Sequence, residues 1–287
     1  MHARMQAGEG ETTETTSLCG RTLVAWTTGA SRGGGGVCDM NILLSPAASR
    51  DIRPLDFNVS LGRLRANGLP FSIKGVEWKG MEESLAPFGL NVHPMDYYLS
   101  FLQSEGFNSI RLPFNVDSVI KNSILIEDAC CSEAPELVNL PYLNIMRAVV
   151  KAAARRGIQV VLASTRLEPR LPAGVSGSGL WYSEAVTEPL VERAWDLIAD
   201  GLCSMWNVAG VDLSAQPFRA TWATGNALTD WDAAATRLGN RVLTRCKRWL
   251  VFVQGVGTDP GVAGQSLEGG AMWGGASPSG AATLLAQ

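Results

Sequence analysis

Five short apolar runs, separated by stretches with helical periodicity, dominate the sequence between Leu64 and Val253. Leu64 to Trp78 reads as a hairpin entering a strand: Asn67-Gly68 supplies the turn, and Phe71, Ile73 and Val76 carry the apolar pattern. The spacing of Tyr98, Leu99 and Leu102 predicts a helix over 95–105, stopped by Gly106, and a second strand follows over 108–114. Pro141 opens the next helix, with Leu143, Met146, Val149 and Val150 on one face, and Arg155, Arg156 and Gly157 close it. Ile158 to Ala163 is nearly continuous in apolar residues, as a strand buried on both faces requires. A helix over 188–206, a strand over 208–213, a helix capped by Asp230 and running to Lys247, and a strand over 250–253 complete the series.

Such β-α-β-α repetition predicts an α/β fold: a parallel sheet with helices outside it and functional residues at the carboxyl ends of the strands. These residues alone leave a barrel and a doubly wound sheet both open. No G-x-G-x-x-G follows a strand, which weakens the dinucleotide reading. Residues 1–55, rich in Gly, Thr and Ser, are expected to form a flexible extension, and 276–287 a flexible tail. The run Gly33 to Gly36 has no Gly-Lys-Ser/Thr after it and is no phosphate loop.

The 287 residues, 46% of them hydrophobic, suffice for a sizeable core. A formal charge of −3 leaves no electrostatic footprint for nucleic acid. No apolar run reaches the roughly 18 residues of a membrane span. The two histidines, His2 and His93, lie far apart, so neither metal-ligand spacing nor a ready catalytic triad is visible, and no cofactor is expected. His93, ahead of Pro94, reads as a local structural residue. Of six cysteines, Cys203 and Cys246 sit on consecutive predicted helices and could pair in an oxidising compartment; the alternative is two buried thiols. The polar N-terminus shows no signal-peptide core, which leaves open an intracellular protein or a different true start.

The strand ends carry a family resemblance. Ile73-Lys74-Gly75-Val76-Glu77-Trp78-Lys79-Gly80-Met81-Glu82 resembles a first strand reading G-x-N-W-x-G-x-E. Gly106 to Phe114, GFNSIRLPF, matches the second-strand pattern G-F-N-x-[VI]-R-[LI]-P in register. Val161 to Leu167 is similar to V-x-L-D-x-H, Asp212 to Pro217 to D-L-x-N-E-P, and Trp249 to Val256 to a fifth strand ending in V-E-G. The family is that of the cellulase-like family 5 glycoside hydrolases, and the resemblance runs from about Leu64 to Gly275.

The resemblance implies a (β/α)₈ barrel, of which about five βα units lie within residues 56–275, and retaining hydrolysis of β-linked glucans or mannans. That chemistry uses two carboxylates about 5 Å apart, one as acid/base and one as nucleophile. Gln216 stands at the family's acid/base glutamate and Ala215 at the preceding asparagine; Thr165 takes the third-strand histidine position and Gln254 the fifth-strand glutamate. An amide keeps the size of the acid but neither gives nor takes a proton. The family's nucleophile lies on a seventh strand and is expected to have no counterpart in this sequence.

Arg111 in the family contacts the nucleophile; the alternative is an ion pair with Glu77 or Asp212. Trp78, Trp181, Trp222 and Trp273 are expected to stack on pyranose rings, whereas Trp195, Trp206, Trp231 and Trp249 read as core. Glu77, at the family's Asn position, is the candidate for a substitute acid. The expected partner is a β-linked polysaccharide or oligosaccharide, with neither nucleic acid nor membrane. Three readings remain: a hydrolase, a non-catalytic β-glycan binder, and a truncated fragment without a function of its own. The family is usually secreted; the sequence itself leaves the compartment and the oligomeric state open.

Overall fold

A computed structural model describes residues 55–60, 63–126, 130–169 and 178–256, together with the backbone of four further strands. Those strands are β1 (Ala3–Gly8), β2 (Glu11–Leu18), β3 (Arg21–Thr27) and, last in the chain, β12 (Thr283–Leu285). The glycine run, Trp273 and the rest of both flanks lie outside the described residues.

The predicted hairpin is present. β4 (Phe57–Ser60), β5 (Arg63–Ala66) and β6 (Leu69–Pro70) form a small antiparallel sheet. Asn67 and Gly68 both take positive φ, 52° and 79°, at the tight β5–β6 turn. This backbone suits Asn and Gly because their Cβ penalty is small or absent.

The repeating series follows as β7 (Lys74–Glu77), α1 (Met95–Ser104), β8 (Ser109–Asn115), α2 (Val116–Lys121), α3 (Tyr142–Arg155), β9 (Gln159–Arg166), α4 (Glu188–Leu202), β10 (Val208–Asp212), α5 (Trp231–Arg245) and β11 (Leu250–Val253). The five strands β7 to β11 are parallel and lie in chain order. A doubly wound sheet reverses its strand order at a switch point; this one adds each strand on the same side, as a barrel does. The described sheet is therefore a partial α/β barrel. β3 pairs antiparallel with β7, and β12 with β11, so backbone strands flank both sides of the parallel set.

The chain's local chemistry explains these elements. All seven residues of β8 are buried, including its proline. Proline lacks a ladder donor. Pro113 is tolerated because the β7–β8 pairing ends at Glu77 and Arg111, two residues before it. At the β10–β11 seam, Gly210 stands opposite Leu250. A Cβ at 210 would fall inside contact distance of the Leu250 carbonyl, so only glycine allows the two strands this approach. Helices α3, α4 and α5 press Ile145, Met146 and Val149, then Trp195 and Ile198, then Trp231 and Leu238 into one continuous core.

Three expectations need correction. α4 stops at Leu202 rather than 206, because the chain turns through Cys203 and is held by Arg248, whose guanidinium donates to the carbonyls of Cys203, Met205 and Val208. Asp230 precedes α5 but makes no side-chain cap; its carboxylate accepts the amides of Ala223 and Gly225, 2.8 and 2.6 Å away, and braces the preceding loop. The six-residue α2, capped by Asn115 accepting the Ser118 amide, was not foreseen. Cys203 and Cys246 are joined by a disulfide between the ends of α4 and α5.

Candidate functional site

The carboxyl ends of β7 to β11 bring together six of the positions that the sequence singles out: Glu77, Arg111, Thr165, Ala215, Gln216 and Gln254. At their base lies a buried charge cluster. Arg111 is 4% exposed. Its Nε and Nη2 donate to Asp212 Oδ2 at 3.1 and 2.7 Å, and its Nη1 pairs with Glu77. Glu77 also lies 3.7 Å from the half-exposed Lys79. Both ion pairs left open for Arg111 therefore form at once. Glu77, the candidate substitute acid, is committed to this cation, and Arg111 faces protein rather than a ligand.

Above the cluster sits Gln254, also buried. Its Nε2 donates to Asp212 Oδ2 at 2.7 Å, and its Oε1 accepts the backbone amide of Gln216 at 3.0 Å. The Gln254 side chain thus contacts protein at both ends of its amide. Gln216 has a φ of +53°, in the left-handed region, and its side chain is exposed. Ala215 is tied to β9 through its amide, which donates to the Ser164 carbonyl at 2.8 Å. Thr165 is half-buried, with its hydroxyl 3.5 Å from the Phe114 carbonyl.

Between the loops after β9 and β10 opens a cleft of about 380 Å³. Its polar lining consists largely of the hydroxyls of Ser164, Thr165, Ser178, Ser183 and Ser214, with Gln216 at the edge. Arg166 and Glu168 bring the charged groups among its described lining residues. Arg166 already pairs with Glu83 at 2.8 Å. Sequence reasoning missed the serines, whose signal was position alone, at strand ends and in the loops that follow them.

Two aromatic expectations fail. Trp78 is 4% exposed, donates its indole N–H to the Phe88 carbonyl and packs at 5.5 Å from Tyr98. Trp181 is 1% exposed, packs against Trp231 and donates to Glu188. Both have their faces covered by protein and offer none to a sugar. Trp222 is half-buried on the loop braced by Asp230, packs against the core, and is not among the residues lining the cleft. Trp195, Trp231 and Trp249 are core.

On the loop after β7, Glu82 is buried and accepts the Gly80 amide at 2.7 Å. Loss of water around its carboxylate raises its pKa above the ordinary value, with the Gly80 hydrogen bond opposing. It belongs to the loop's scaffold: Asn115 Nδ2 donates to the Met81 and Glu82 carbonyls beside it.

The model of glycosyl hydrolase family 5, the cellulase family, matches residues 64–283. The chain belongs to this family. An endoglucanase of Paenibacillus polymyxa is 34% identical over 211 residues, which is 73% of this chain and 51% of that protein. The major extracellular endoglucanase of Xanthomonas campestris is 32% identical, over 73% of this chain and 42% of its own. The chain thus spans about half the length of these curated relatives. Among solved structures, an endocellulase of Pyrococcus horikoshii complexed with cellotetraose is similar at a TM-score of 0.62 and 30% identity, covering 72% of this chain and 59% of that one.

Proposed function

We propose that this family 5 chain binds β-linked gluco-oligosaccharides at the carboxyl-end cleft without using residue 216 for proton transfer. The observation that carries this reading is Gln216: an amide exposed at the cleft edge, at the position of the family's acid/base glutamate. An amide donates and accepts hydrogen bonds to sugar hydroxyls but does not titrate. General acid/base catalysis is worth about 10²–10⁴-fold in rate. Among the described lining residues the cleft holds one carboxylate, Glu168, whereas retaining hydrolysis needs two at about 5 Å. Serine hydroxyls in the cleft supply polar contacts that a pyranose ring uses, and the partly exposed indole of Trp222, on the loop after β10, is the apolar face this reading assigns to stacking. The cellotetraose complex of the Pyrococcus relative supports the choice of ligand class.

The test combines two measurements on the purified chain. Cello-oligosaccharides are expected to change tryptophan fluorescence in a saturable manner, and Trp222→Ala to weaken that binding about tenfold, the scale of one lost stacking contact. Reducing-sugar release from carboxymethyl cellulose, mannan and laminarin is expected to stay at the blank. Release by the native chain that disappears in Gln216→Ala would overturn the reading, as would the absence of any saturable binding.

A further inference from the structure

We propose that Gln254 is a positioning residue for the Gln216 loop, and that its amide makes this positioning independent of pH. The proposal rests on the glycan-binding reading for its consequence, though its geometry stands by itself. Asp212 Oδ2 accepts Gln254 Nε2 at 2.7 Å, and Gln254 Oε1 accepts the Gln216 amide at 3.0 Å. One end of the residue 254 side chain must therefore donate and the other must accept. A primary amide meets both demands in a single orientation, since flipping it would set oxygen against carboxylate and N–H against N–H. Asp212 cannot turn to another donor easily: Arg111 occupies the same oxygen twice, and its Oδ1 is buried without a partner among the described residues.

The clamp acts on a backbone that needs holding. A non-glycine residue in the left-handed region is disfavoured by the crowding of its Cβ. Gln216 is in this state, with an exposed side chain and its carbonyl accepting the Phe218 amide at 2.8 Å. The Gln254 hydrogen bond holds the peptide on the other side of the same Cα, and with it the direction in which Gln216 faces the cleft.

A glutamate at 254 would reproduce both bonds only while protonated: its O–H would donate to Asp212 and its C=O would accept the Gln216 amide. Once ionised, it would place two carboxylates in contact around one guanidinium, and like charges at that distance oppose each other. Glutamine therefore gives the protonated geometry at every pH.

The experiment uses the full chain and two variants, Gln254→Met and Gln254→Glu. Hydrogen exchange at the Gln216 amide is followed by NMR from pH 4 to 8, with intrinsic exchange divided out, alongside cello-oligosaccharide titrations. Relative to the native chain, Gln254→Met is expected to lose about tenfold in protection of that amide, the equivalent of one ordinary hydrogen bond. Gln254→Glu is expected to match the native chain at the acid end and to lose protection and affinity as pH rises. Unchanged Gln216 protection in Gln254→Met, or a Gln254→Glu profile parallel to the native one, would overturn the proposal. Should Gln254→Met not fold, the Gln254→Glu profile decides. Should the native chain bind no glycan, the glycan-binding reading fails while the exchange measurement still decides the role of Gln254.

Discussion

At Glu82 a carboxylate sits where water scarcely reaches, and burial raises its pKa above 4.5. The sign follows from linkage: the fold binds this proton more tightly than the unfolded chain. Its neutral-form contribution is fully present below pH 4.5 and is lost as pH rises through the folded value. Glu82→Gln keeps an acceptor for Gly80 while removing the charge. Thermal melts from pH 4 to 8 should show the difference between native chain and variant growing in favour of the variant across that window. At this scale the sequence was legible where a residue type is itself the message. Gln216 is an amide and Ala215 a bare methyl, and the sequence says so in one letter each. Trp78 and Trp181 did not declare their burial, because an indole beside a strand end has the same letter whether its ring faces core or solvent. The partners of Gln254 were equally hidden, since Asp212 lies 42 positions away and on another strand.

The α4–α5 pair shows what periodicity does at the level of elements. Glu188, Glu192, Asp196 and Asp200 recur every four residues on α4, and Arg237, Arg241 and Arg245 do so on α5. The two rows interlock: Arg237 with Glu188 at 2.8 Å, Arg241 with Glu192 and Asp196 at 3.1 and 2.8 Å, and Arg245 with Asp196 and Asp200 at 3.1 and 2.9 Å. The arginines are about half-exposed, so solvent screens each pair and it is worth only about 0.2–1 kcal/mol. Arg241→Ala, which removes the central rung, is expected to cost about 1 kcal/mol in urea melts at low salt and measurably less at 1 M NaCl, where screening shortens to about 3 Å. Helices of ten residues or more were readable because 3.6-residue spacing repeats within them. The six-residue α2 carries too few repeats, and Asp230 looked like a cap because its sequence position suits one while its carboxylate turns back to the loop.

For the whole molecule, the Cys203–Cys246 bridge closes a loop across 43 positions and fastens the ends of both helices beneath the cleft-bearing sheet. On a chain-entropy account such a crosslink stabilises by up to about 4 kcal/mol. A Cys203→Ala, Cys246→Ala double variant should melt well below the oxidised native chain, and adding reductant should lower the native melting temperature towards it while leaving the variant unmoved. The fold class was readable as alternation. The choice of barrel over doubly wound sheet was readable only through the family motifs at the strand ends, because it depends on which side each new strand joins, and hydrophobic periodicity does not record that order. Gly210 carries a last consequence. Since nothing but hydrogen projects at that point of the seam, the gap between β10 and β11 is dictated by main chain meeting main chain. The reach from Asp212 across to Gln254 is thereby inherited from an empty place, and sequence drift in the surrounding apolar residues leaves it unaltered.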